Sequence, residues 1–213
     1  MDIRWLGHSC FRLTNGDISI LTDPFPNSIG ITMGEQKADI VTISNSHPNH
    51  SYVEGVLDKP PIIDGPGYYD LHGIYIQGIV TALGENDPPE ARNTAYRIEM
   101  GGISIVHLGD IKSPLNNSRV ESFTPLDVLL VPAGGICTAG TNDIVKIIQS
   151  LDPKIVVPMH YNIPNIDVEL QSIDSLLQEL GVTAPEPQSR LNITRSSLSE
   201  GLQISILDPL GDQ

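Results

Sequence analysis

Six histidines (His8, His47, His50, His72, His107 and His160) and one aspartate, Asp110, are the residues best placed for chemistry. His47 and His50 follow the apolar run 38–44, in the loop Asn45-Ser46-His47-Pro48-Asn49-His50. His160 comes just after the apolar stretch 154–157, His8 just after 2–6, and Asp110 just after 103–108. Imidazole nitrogen and carboxylate oxygen form the donor set of zinc and related divalent metals. Residues at strand ends sit on loops carried by a rigid scaffold, where function gathers in α/β proteins. His47, His50 and His160 therefore read together as a metal-centred group. His72 reads as an isolated residue. His107 reads as a packing residue, because strand alternation turns it to the opposite face from its neighbour. No single spacing carries the inference alone.

The elements that must position these groups are legible in outline. Segments 2–6, 10–14 and 17–22 are β-rich, and Asn15-Gly16 between the last two is a strong hairpin signal. The run 38–44 has the length of a buried strand, and 71–82, 94–99 and 103–108 continue the pattern, with Gly101-Gly102 turning the last pair. The second half changes character. Segments 127–131 and 154–157 read as buried strands, and between them Ile144, Ile147, Ile148 and Leu151 recur at helical spacing. The spacing predicts a longer amphipathic helix over 168–180, with Leu170, Ile173, Leu176, Leu177 and Leu180 on one face and Gly181 as its stop. A strand over 202–207 closes the chain. Strands first, then strands alternating with helices, predict an α/β fold of sheets covered by helices.

Composition narrows the function classes. A chain of 213 residues fits one domain, 1–213, able to bury roughly 70% of its unfolded surface without staples. Cys10 and Cys137 are far apart and in no C-x-x-C pair, which fits a reducing cytoplasm. The start, MDIRWLGHSC, has neither a basic nor an apolar leader region, and no apolar run has the length of a membrane span. With 26 acidic against 12 basic residues the net charge is −14, which disfavours nucleic acid and anionic membrane as partners. Arg4, Arg12, Arg92 and Arg97 read as scattered surface residues. The expected partner is a small-molecule substrate or ligand, and self-association into a homo-oligomer stays open.

A series of blocks in fixed order resembles the metallo-β-lactamase superfamily: WLGHSCF (5–11), LTDPF (21–25), ADIVTIS (38–44), DGPGYYDLHGIYIQGI (64–79), NTAYRIE (93–99), HLGD (107–110), DVLLVPAGG (127–135) and PKIVVPMHY (153–161). The similarity is to the small bacterial hydrolase branch related to L-ascorbate-6-phosphate lactonase, and it runs almost end to end. It implies a four-layer αβ/βα sandwich with a metal site where two sheets meet. It also exposes a departure. The family signature H-x-H-x-D-H is matched by Asn45-Ser46-His47-Pro48-Asn49-His50, so Asn45 replaces the first histidine and Asn49 the aspartate. The mid-chain histidine position falls on Leu83, with Glu85 or Asp87 nearby as a replacement carboxylate. Asp110 matches the bridging aspartate and His160 the last histidine.

Carried over residue by residue, one of the family's two metal sites keeps only His47 and the shared Asp110. The other keeps His50, Asp110 and His160, and three protein ligands plus water make a workable catalytic site. The resemblance thus implies zinc or a similar divalent metal, at most one per chain, or none. Asp110 and His50 would carry catalysis, with His8 and Asp23 as nearby orienting groups. Asn49 can hydrogen-bond but takes no proton at neutral pH, so family chemistry would be impaired. Two readings follow: a mononuclear hydrolase of an ester, lactone or phosphodiester bond, favoured by the three surviving ligands, or an inactive relative kept as a binding or assembly module, favoured by Leu83.

Overall fold

The computed structural model describes residues 1–82 and 92–209, and its first half is built from short strands with tight returns. Strands β1 (Asp2–Gly7), β2 (Cys10–Asn15) and β3 (Ile18–Thr22) form an antiparallel meander. The hairpin turn expected at Asn15-Gly16 forms at Gly16-Asp17, with Asn15 paired to Ile18 and Gly16 at φ 61°, the positive φ that a two-residue loop opening on glycine takes. After β4 (Gln36–Lys37) come β5 (Ile40–Thr42), β6 (Val56–Leu57) and β7 (Ile62–Ile63). β5 joins β3 in parallel and β7 joins β5, while β4 and β6 pair separately.

The second half repeats this plan. β8 (Gly67–Leu71), β9 (Ile74–Val80), β10 (Thr94–Met100) and β11 (Ile103–His107) form an antiparallel meander. Helix α1 (Asn117–Phe123) leads to β12 (Val128–Pro132), α2 (Thr141–Leu151) to β13 (Ile155–Met159), and α3 (Asp174–Leu180) to β14 (Leu191–Asn192) and β15 (Gln203–Ile204). β12, β13 and β15 extend the sheet from β11 in parallel, and β14 crosses back to β1. The two sheets run β14-β1-β2-β3-β5-β7 and β15-β13-β12-β11-β10-β9-β8.

This topology decides where side chains can meet. In each sheet an antiparallel meander gives way to parallel strands, so the carboxyl ends of β1, β3 and β5 share one edge, and those of β11, β12 and β13 share another. Hydrogen bonds between the sheets hold the edges together. Thr94 N donates to Ser44 O at 2.7 Å, His160 N to His8 O at 2.9 Å, and Tyr96 Oη to Ile43 O at 2.8 Å. Between the sheets lie Trp5, Phe11, Tyr96 and Ile98, all fully buried, and burying a side chain such as Phe11 contributes roughly 1.5–3 kcal/mol. β12 and β13 are buried at every position, as continuous apolar strands covered on both faces should be.

The expected α/β sandwich is the architecture observed. Among the described residues the three α-helices come from the second half, and the only helical turns between β3 and β7 are the 3-10 turns Asn27–Ile29 and Val53–Gly55. Two expectations need correction. The helix predicted over 168–180 forms only at Asp174–Leu180. Upstream, Gln171 N donates to Gly134 O and Gln171 O accepts from Asn162 N, both at 2.9 Å, so tertiary partners take the backbone groups a helix would need. The segment predicted as one strand over 71–82 is instead the hairpin β8–β9, turning at His72 (φ 56°) and Gly73 (φ 75°). Helix α1 and the two-residue strands β4, β6, β7 and β14 carry no sequence signal strong enough to predict. Among the described residues no helix is long and apolar enough to cross a membrane.

Candidate metal centre

Three of the residues at the joined edges leave their strands in an unusual conformation. His8 after β1, Asp23 after β3 and His160 after β13 have φ of 50°, 41° and 52°. A non-glycine residue held there costs on the order of 1 kcal/mol or more, so its surroundings must enforce it. They do so at His8, whose carbonyl accepts from both Trp5 Nε1 and His160 N at 2.9 Å. Asp23 N is tied to Thr42 O at 2.9 Å. Strain of this kind is tolerated where a side chain has to be aimed, and here His8 and His160 are aimed at one point while Asp23 is aimed at the His50 that joins them there.

At that point His8, His50 and His160, each only 1% exposed, offer ligand nitrogens that lie within 4.8 Å of one another. His50 is held at both ends: its Nδ1 lies 3.0 Å from Asp23 Oδ2 and its Nε2 lies 3.0 Å from Asp110 Oδ2. Asp23 is itself fixed by Ser44, whose backbone N and Oγ donate to it at 2.7 and 2.6 Å. Asp110 enters from the second sheet, and its backbone N donates to Asn93 Oδ1 at 2.8 Å. Asn93 is in turn locked by donating to Leu108 O and Thr81 Oγ1. Gly109, just before Asp110, has φ 55°, and a Cβ there would lie 2.4 Å from Asn93 Oδ1. Only glycine lets the HLGD turn close on this support.

Burial and neighbouring charge set the protonation. Burial pushes His8 well below the ordinary imidazole range, reinforced by His160 and His50. Burial likewise pulls His160 down to about 4. Both are neutral at pH 7, as metal-ligating imidazoles must be. Burial opposes charge on His50 too, but Asp110 and Asp23 outweigh it and raise its pKa to about 10. Burial would raise Asp110, but its ion pair with His50, with a further contribution from His160, holds its carboxyl well below the usual range. The His160 Nε2 to Asp110 Oδ1 separation of 3.5 Å is an ion-pair distance without hydrogen-bond geometry, so Oδ1 stays unpartnered.

The residues fit a single divalent cation. His8 Nδ1, His8 Nε2, His160 Nδ1 and Asp110 Oδ1 are buried without a hydrogen-bond partner, a cost of about 1–3 kcal/mol for each such group. A cation coordinated jointly would relieve Asp110 Oδ1 and one nitrogen of His8, and draw on a nitrogen of His160. The other half of the signature loop is arranged differently. Asn45 Nδ2 points at Ser44 Oγ (3.2 Å) and Asp110 Oδ2 (3.4 Å), a donor facing a carboxylate. His47 is exposed, its ring centre 6.2 Å from that of His50, and its Nδ1 accepts from Asn49 N at 3.2 Å. Leu83, Glu85 and Asp87 lie outside the described residues.

Asn45, His47, Asn49, His50, Asp110 and His160 line one cavity of about 580 Å³ together with His8, a volume suited to a small molecule. Lys112, Cys137 and Glu169 also line it and were not expected there. Cys137 and Lys112 reach it from loops whose path only the tertiary fold sets, and Glu169 does so because residues 168–173 are not helical. Asn93 and Ser44, which hold Asp110 and Asp23, stand inside the NTAYRIE and ADIVTIS blocks but look like ordinary strand-end polars in sequence. His107 is a packing residue, with Nε2 on Ser9 O at 2.9 Å and Nδ1 accepting from Gly109 N at 3.2 Å. His72 is an exposed turn residue.

Comparison with known proteins places the chain in a family. The family model described as the beta-lactamase superfamily domain matches residues 2–160. A UPF0173 metal-dependent hydrolase of Thermus thermophilus is 27% identical over 85% of this chain and 93% of its own length. A UPF0173 protein of Pyrococcus abyssi is 30% identical over 76% of this chain and 83% of its own. A crystal structure from Thermotoga maritima, provisionally described as a Zn-dependent hydrolase of the metallo-β-lactamase superfamily, superposes with a TM-score of 0.80 at 29% identity, covering 97% of both chains. With its two facing sheets and its cluster of histidines and aspartate at their joined edges, the chain belongs to the metallo-β-lactamase superfamily, among the UPF0173 proteins.

Proposed function

We propose that this chain is a metal-dependent hydrolase that cleaves an ester, lactone or phosphodiester bond of a small molecule, with one metal held around His50, Asp110 and His160. The observation that carries the reading is that these three side chains, contributed by both sheets, meet at the floor of a cavity with ligand atoms left unpartnered. The relatives named metal-dependent hydrolases support it. A bound divalent metal supplies Lewis acidity, activating water at neutral pH and polarising the scissile group.

The protein's own groups supply the rest. Asp23 accepts from His50 Nδ1 and so leaves Nε2 facing the cavity, the carboxylate–histidine relation that fixes ring orientation at metal sites. Asn45 and Asn49 line the mouth with amides, which can hold a substrate oxygen but not take its proton. His47, with Nδ1 committed as an acceptor, carries its proton on Nε2 and can donate it toward a leaving oxygen. Lys112 places a positive charge on the wall. The net charge of −14 supports a small-molecule substrate over nucleic acid.

The second reading, a binding module, is favoured by Asn45 and Asn49, which remove a ligand and a proton acceptor. Assaying the metal-loaded protein on generic ester, lactone and phosphodiester substrates separates the two. Hydrolysis that is lost with chelation and in His50→Ala supports the enzyme; stoichiometric metal without turnover supports the module.

A further inference from the structure

We propose that His8 is itself a metal ligand, so that the chain's metal is held by His8, His50 and His160 with Asp110 completing the set. One ligand then comes from the turn after β1, beside the His50 that the signature loop still supplies. This rests on the reading of the chain as metal-dependent and adds to it the identity of the replacement ligand.

Two internal comparisons carry the argument. His8 and His107 are equally inaccessible, at 1% and 0% exposure. Both nitrogens of His107 are satisfied, by Ser9 O and Gly109 N, whereas neither nitrogen of His8 has a partner. Buried polar groups are almost always paired, so an imidazole orphaned at both ends calls for a partner. The second comparison is with His47, the one ligand that the depleted signature site retains. Its Nδ1 accepts from Asn49 N, which leaves the proton on Nε2 and no lone pair there to donate. His8 has both nitrogens available.

The geometry favours His8 as well. Its ring centre lies 4.1 Å from that of His160 and 4.8 Å from that of His50. In a tetrahedral zinc site, ligand nitrogens about 2.0–2.1 Å from the metal are roughly 3.4 Å apart. Nitrogens already within 4.8 Å need only small ring rotations to reach it. Such rotations are open to His8, whose backbone is pinned through its carbonyl while its ring has no hydrogen bond to break.

The test reads coordination in the full chain rather than activity. X-ray absorption of the zinc-loaded wild-type protein should count three imidazoles; two would overturn the proposal. Elemental analysis and cobalt(II) spectra should show one ion per chain in wild type. In His8→Ala and His8→Gln, affinity should fall about 100-fold, at the upper end of what the loss of even a supporting group costs, and the cobalt bands should weaken and shift. His47→Ala should leave stoichiometry and bands unchanged. If the His8 variants keep wild-type spectra and affinity while His50→Ala and His160→Ala lose metal, His8 is not a ligand but the metal site stands. Loss in His47→Ala with retention in the His8 variants would place the metal at the signature loop and overturn the proposal. If wild type itself takes up no zinc or cobalt, the reading of the chain as metal-dependent falls first.

Discussion

The floor and the mouth of the cavity differ in burial and in the ligands they offer. On the floor, His8, His50, His160 and Asp23 are buried, donor-rich and supported by Ser44, Trp5 and Asn93. At the mouth, the family's ligand positions hold Asn45 and Asn49, and His47 is exposed. Both regions draw on the same six-residue loop, so the difference lies in burial. Replacing one member of a buried hydrogen-bonded set strands its partners at several kcal/mol. At the solvent-facing rim water takes over as the partner, and amides can replace imidazole and carboxylate without unfolding the site. Loss of ligands can accumulate at the rim while the floor stays intact.

The sharpest way to break this contrast is to cut into the floor. His50→Ala or Asp110→Asn should lower kcat/KM by on the order of 10³-fold, the equivalent of several kcal/mol of lost charge stabilisation, and deplete metal. Kinetics and elemental analysis on the same preparations check both effects. A floor variant with near-normal turnover would mean that catalysis depends on the mouth instead. One layer further out, Asp23→Asn leaves every ligand in place but removes the carboxylate behind His50. Metal affinity should fall about 10–100-fold, measured by competition with a chromophoric chelator.

Rebuilding the mouth sharpens the comparison from the other side. Asn45→His, Asn49→Asp and Leu83→His together restore the family signature, and bound metal should rise from one ion to two per chain. No gain would show that the support around the mouth has drifted along with the ligands.

The floor should also show itself in acid–base behaviour once metal is stripped. In that form His50 has a pKa of about 10 against 6.5 when unfolded, raised by Asp110 and Asp23. The folded state then binds the extra proton between these values. The stabilisation is complete below pH 6.5 and is lost as pH rises through about 10. Thermal melts of chelated protein should therefore decline over that window, and His50→Gln should flatten the decline. His160, lowered to about 4 by burial, works in the opposite sense, so its contribution is present above pH 6.5 and lost as pH falls toward about 4. The smallest effect belongs to the mouth: His47→Ala should change stability by no more than about 0.5 kcal/mol, as for most exposed positions, and lower turnover only severalfold by removing one donor.

What could be read without coordinates was local or of low order. Strand alternation, the hairpin turn at Gly16, the helix over Thr141–Leu151 and the placing of His8, His47, His50, Asp110 and His160 at strand ends follow from residue type and spacing alone. So did the choice of donors, because imidazole and carboxylate have few other reasons to cluster after buried strands. What the tertiary structure decided was which of those donors meet. Periodicity over 168–180 cannot show that Gln171 pairs with Gly134 and Asn162, a non-local competition that ends the helix at Asp174 and brings Glu169 to the cavity. Nor can spacing show that His160 N bonds to His8 O, a contact spanning most of the chain that places a turn histidine among the ligand nitrogens. Sequence proximity made His47 the natural companion of His50, but the edge shared by β1 and β5 brought His8 to it instead, and the second sheet added His160 and Asp110.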